Sequence, residues 1–282
     1  MQPSLSSPRL FPVNLACLLV LLAALLGLYY PVLVAMAHDW STNDNYSHGF
    51  FIPLISGYMV FAMKDELRNI SLRPANWGLF LLLAGVGQLY IARVGSEYFL
   101  QRTSLILVLL GMVVFLLGKA MTRKLVLPIA YLLFMVPLPA IIWNKIAFPM
   151  QLFSSAVTEV VVRLIGIPIF REGNVLHLAQ TTLEVVDACS GLRSLTTMFA
   201  LSAALAWFSD STAWKKWVLF LAAAPIAIFA NIVRLSSTAG LASVYGGKVA
   251  QGFLHDFSGV FTFVFGLVLL IITSKLLRDK GG

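Results

Sequence analysis

The sequence predicts an all-α polytopic membrane protein of about eight transmembrane helices, with a short extracytoplasmic helix/β-hairpin insertion before the sixth span. Three observations predict it. Of the 282 residues, 59% are hydrophobic and only 11% are charged. A soluble domain carries about 25% charged residues, so this chain cannot cover its own surface in water. Apolar runs of about 20 residues, each long enough to cross a bilayer core, recur along the whole length. Lys and Arg gather in short stretches between those runs. Backbone in lipid must satisfy its own hydrogen bonds, so the spans are helices.

The first apolar run, Leu15 to Ala37, is too long for a signal-peptide core and is followed by no small-residue cleavage site. It is therefore read as the first span, 13–37. The others fall at 48–63, 77–95, 104–120, 125–143, 190–208, 217–240 and 257–274. Pro53, Pro137, Pro139 and Pro225 lie inside these runs, where neighbouring helices can repair the backbone. Four basic groups fall on one side of an eight-span map: Lys64, Arg68 and Arg73; Lys119, Arg123 and Lys124 in a loop; Lys215 and Lys216; and the tail Lys275, Arg278 and Lys280. By the positive-inside rule that side is cytoplasmic, and both termini join it. The stretch His38 to Ser47 has no Lys or Arg and reads as an outer loop. The whole chain, 1–282, reads as one integral membrane domain.

The segment of about 144–188 breaks the rhythm and lies outside on this map. Pro149 to Ile167 has helical apolar spacing interrupted by Glu159 and Arg163, as in an interfacial or re-entrant helix. The alternation Val175, His177, Ala179 then predicts a short hairpin. The net charge of +8 is dispersed among short loops, so nucleic acid is not an expected partner. No motif calls for a metal or a cofactor.

Ionisable groups near lipid are costly and mark function. Cys189, in DACSGLRS, begins the sixth span. Arg234, in ANIVRLSS, lies near the outer end of the seventh. His255, in FLHDFSG, stands just before the eighth. A map drawn from charge and hydropathy alone puts all three at the outer surface. A thiol at a helix N-terminus beside cations has a lowered pKa and supplies a strong nucleophile. Histidine can take its proton and return it to a leaving amine, and a guanidinium can stabilise an oxyanion. The residues leave choices open at this point. All four histidines (His38, His48, His177 and His255) fall outside. Arg193, one turn after the cysteine, rivals Arg234 for the cationic role or holds the local fold. Asp187 and Glu184 are candidates to orient a histidine. Asn231 shares the face of Arg234 and can brace it or bond a neighbouring helix. Cys17 lies in the first apolar run and reads as a packed hydrophobe, which leaves Cys189 a free thiol.

The run DACSGLRSL, then NIVRL one span later, then HDFSG before the last span, resembles the exosortase/archaeosortase family. NYSHGFFIPLISGY and GNVLHL are similar to further parts of its pattern, so the likeness covers roughly Asp44 to Ser274. The resemblance implies a cysteine-type membrane protease/transpeptidase with a catalytic set Cys189, Arg234 and His255. Arg193, Asn231, His48 and Asp187 are expected to support the site or position substrate. It implies as partners exported proteins with a C-terminal signal of the PEP-CTERM kind (a motif, a transmembrane helix and a basic tail), cut through a Cys189 thioester and released or transferred to an acceptor. It implies a bacterial cytoplasmic (inner) membrane location with membrane lipid around the spans. The soluble C-terminal domain of some relatives, if required, is expected as a separate accessory protein. The rival reading is a membrane transferase or transport component for exopolysaccharide or lipid-linked substrates, for which Cys189 is dispensable.

Overall fold

The computed structural model describes residues 15–179, 181–185, 191–246 and 253–278, with side chains from Leu19 onward in the first helix and from Gly259 onward in the last. They gather into two compact units, one of residues 1–43 and 49–137, the other of 44–48 and 138–282.

In the first unit the helices are α1 (Leu15–Thr42), α2 (Phe51–Ala62), α3 (Lys64–Arg68), α4 (Trp77–Val94), α5 (Tyr98–Leu117) and α6 (Lys119–Tyr131), followed by a 3-10 turn, Leu132–Met135. Its best-packed pair is the α4/α5 hairpin. A Cβ at Gly78 would strike the backbone of Phe115, and one at Gly85 would come within 2.7 Å of Val108 Cγ2. Glycine lets the two backbones close, which is how helices associate in lipid, where apolar burial gains little. Asp39 at the end of α1 holds Arg102 of α5 in a 2.6 Å ion pair, and Trp40 donates to the Met135 carbonyl.

In the second unit a 3-10 helix (Asp44–Phe50, of which 44–48 belong here) precedes α7 (Ala140–Leu164), a three-stranded antiparallel sheet, α8 (Leu192–Phe208), α9 (Ala213–Tyr245) and α10 (Phe253–Leu277). The strands are β1 (Ile169–Glu172), β2 (Val175–Leu178) and β3 (Thr182–Glu184), in the order β1-β2-β3, with Phe170 opposite His177 and Leu176 opposite Leu183. The sheet buries Ile169, Leu176, Leu178 and Val185 against Val162 of α7 and Leu235, Ala239 and Ala242 of α9. Small residues bring α8, α9 and α10 together: Met198 Cε and Ala230 Cβ both lie against Gly266.

Five described helices are long and apolar enough to cross a membrane: the α1 segment from Leu19, α4, α5, α9 and α10 from Gly259. Six result if α6 with its 3-10 turn and α7 are counted as one broken span. At 12 residues, α2 extends about 18 Å, short of a 30 Å hydrocarbon core. Three expectations are corrected. The run 125–143 is not one helix, because Pro137 and Pro139 stop it and α7 starts afresh at Ala140. Lys119, Arg123 and Lys124 lie within α6 rather than in a loop. The chain turns instead at Gly118 (φ +84°), where a Cβ would run into the Arg73 carbonyl. His38 to Ser47 is not a loop either, since α1 runs to Thr42 and a 3-10 helix begins at Asp44.

Candidate functional site

The site elements belong to the second unit, and its ends can be told apart. Arg278, just past α10, lies 3.9 Å from Asp210 in the α8/α9 turn, and Lys215, Lys216 and Lys275 are close by in sequence. Counting away from that end at 1.5 Å per residue sets the level of each candidate. Gly191, which caps α8, stands about 26 Å away, Asn231 about 27 Å, Arg234 about 32 Å and the backbone of His255 about 33 Å. Four positions from three helices thus share one end.

A direct contact bears out this count for two of them. Gly191 has φ +81°, a conformation that favours glycine. A Cβ there would lie 2.9 Å from Asn231 Cγ and 3.0 Å from its Cβ. The Gly191 carbonyl accepts the Leu195 amide at 2.8 Å, starting α8. The expectation that the sixth span begins at the cysteine is corrected by three residues. Helix α8 begins at Leu192, and Cys189, with Asp187, lies outside the described residues.

Asn231 is fully buried and Arg234, one turn further along α9, is 9% exposed. Arg234 is not at the helix end, because α9 runs about three turns past it. Those turns are the ones the sheet covers. Facing Asn231, helix α7 presents a polar stripe, Gln151, Ser154, Ser155 and Thr158, at helical spacing and all buried. Asn231 Nδ2 donates to Ser154 Oγ at 3.4 Å, so Asn231 bonds the neighbouring helix. Ser155 Oγ donates to Gly173 O in the β1/β2 turn at 3.2 Å. The Thr158 hydroxyl meets no partner among the described residues.

Arg193 holds the local fold. Its guanidinium donates to Asn45 Oδ1 at 3.2 Å and reaches Asp44 Oδ2 at 3.3 Å. Tyr46, next in that 3-10 helix, stacks edge-on against Trp143 with centroids 5.4 Å apart. Leu192 packs into the same cluster with Trp143 and Ala147. The segment that ends in His48, partly buried, is thereby fastened to the start of α8. His255 lies in the first turn of α10; its side chain is outside the described residues. Ser154, Gly191 and the Asp44/Asn45 acceptors are the site residues that sequence reasoning missed. The glycine two residues after the cysteine was the available signal.

A family model described as transmembrane exosortase matches residues 40–272. No curated protein matches the chain, and no solved structure does.

Proposed function

The chain belongs to the transmembrane exosortase family, and from that premise we propose that it is a membrane-embedded cysteine protease/transpeptidase acting on the C-terminal sorting signals of exported proteins. Cys189, as thiolate, attacks the carbonyl of the scissile peptide. His255 takes the thiol proton and passes it to the leaving amine as the C–N bond breaks. Arg234 stabilises the oxyanion. An amine acceptor, or water, then resolves the thioester. The substrates are exported proteins carrying a motif, a transmembrane helix and a basic tail.

One observation carries this reading. The glycine cap of α8, two residues after Cys189 in the sequence, touches Asn231. That contact supports a reading in which the thiol acts beside the buried Arg234 and near the level of the His255 backbone. That level stands about 30 Å from the basic end, roughly one hydrocarbon thickness. With the basic end in the cytoplasm of a bacterial inner membrane, the site opens on the extracytoplasmic surface. A substrate anchored in the same bilayer would present its motif at that depth, gaining proximity without a large soluble groove.

The test is a Cys189→Ala variant expressed with a substrate bearing such a signal. Full-length, uncut substrate in membranes is expected. Normal processing in that variant sinks the reading.

A further inference from the structure

We propose that Asn231 is a positioning residue: wedged between Ser154 and Gly191, it fixes the glycine turn that opens α8, two residues after Cys189 in the sequence, relative to Arg234. The inference rests on the transpeptidase reading for its catalytic meaning, but not for its geometry.

Three features of the second unit meet at one side chain. Asn231 is fully buried. On one side its amide donates to Ser154 Oγ of α7. On the other, its Cβ, Cγ and Nδ2 all fall within 3.1 Å of where a Cβ on residue 191 would stand. Only a residue without a side chain lets the turn rest there, and its positive φ asks for glycine a second time. A leucine at 231 would pack a helix interface in lipid as well as an amide does. The amide adds an orientation, because its bond to Ser154 sets which way the flat group faces Gly191. One turn along the same face comes Arg234. The side chain that seats the turn and the guanidinium are therefore rigidly linked through one stretch of α9. A displacement of about 1 Å at a reacting group can cost about 100-fold in rate, so a wedge at this place has catalytic leverage without touching substrate.

The experiment uses the full chain in native membranes, in a Cys17→Ser background so that Cys189 is the sole thiol. The pH dependence of its alkylation by a small maleimide is read first, because it needs no substrate. Processing kinetics are read second. Asn231→Ala should move the alkylation midpoint away from that of the parent, and lower kcat at least tenfold with KM within twofold. Gly191→Ala should do the same through the clash. The pair should be coupled: in Gly191→Ala/Asn231→Gly no side chain at 231 is left to meet the new Cβ, so the double variant should be at least fivefold more active than the product of the Gly191→Ala and Asn231→Gly effects. Simple multiplication of the two effects overturns the wedge. So does an unmoved midpoint in Asn231→Ala. If Gly191→Ala fails to accumulate, Ser154→Ala keeps the question open to measurement. It must shift the midpoint in the same direction as Asn231→Ala, and no shift overturns the proposal. Normal processing by Cys189→Ala would remove the transpeptidase reading yet leave the alkylation result standing, so the two failures are distinguishable.

Discussion

The α4/α5 hairpin of the first unit and the α7/α9 pair of the second solve one problem in two ways. Both must hold helices together where lipid tails remove the usual advantage of apolar burial. The first uses absence: Gly78 and Gly85 on α4 and Gly111 on α5 let backbones approach until any Cβ would collide. The second uses polarity: Ser154, Ser155 and Thr158 on α7, with Asn231 and Arg234 on α9, all buried. Interhelical polar bonds in membranes average only about 0.6 kcal/mol, and a charge costs several times that to bury. The glycine seam of α4 and α5 demonstrates that this chain can bring two helix backbones together without burying a charge at the point of contact. The polar interface on α7 and α9 answers a different need, which under the proposed function is the placement of Arg234.

Substitutions can break that contrast. The largest effect is expected at Arg234. Lysine keeps the charge but loses the planar fork, so Arg234→Lys should lower processing at least 100-fold per folded molecule while accumulation stays normal. Equal losses of activity and accumulation would make the α7/α9 pair a structural interface like the other one. The glycine seam predicts the reverse pattern. Gly78→Ala forces the α4 and α5 backbones apart and should cost about 3 kcal/mol, seen as a lower thermal midpoint in detergent, with processing per folded molecule unchanged. Gly87 sits in the same helix with nothing within 4 Å of its would-be Cβ. Gly87→Ala should be neutral or gain up to about 1 kcal/mol. If both alanines behave alike, close approach is not what holds α4 to α5.

The same contrast explains what the sequence could reveal. The five described helices long and apolar enough to cross a membrane, α1, α4, α5, α9 and α10, were legible because long apolar runs leave no other state for backbone in lipid. The break at Gly118 was not, because a positive φ and the approach of Arg73 leave no trace in hydropathy. Pro137 and Pro139 were visible, but read as tolerated; the chain uses them to end one helix and start α7. At the site, Arg234 and Asn231 stood out as polar residues in an apolar run. The partners of Arg193 did not, since Asp44 and Asn45 lie nearly 150 positions earlier and no local pattern links them. Cys189 and Asp187 remain sequence-level assignments, and the Arg193 contacts show it fastening the start of α8 to Asp44 and Asn45.

The smallest expected effects come from two ion pairs of identical length in the first unit. Asp39–Arg102 and Lys124–Glu66 both measure 2.6 Å, so geometry alone ranks them equal. Burial separates them. The Arg102 side chain is 10% exposed, whereas Lys124 and Glu66 are 49% and 61% exposed. Removing the Asp39 carboxylate strands a nearly buried guanidinium, and Asp39→Ala should cost about 2 kcal/mol. Removing Glu66 leaves an ammonium that water solvates at once, so Glu66→Ala should cost no more than about 0.5 kcal/mol. Thermal unfolding in detergent at low and high salt separates them further, because screening weakens exposed pairs and spares buried ones. Any effect of Glu66→Ala should vanish at high salt, while that of Asp39→Ala should persist. Matching losses would mean that distance, not desolvation, sets the strength of a pair in this protein.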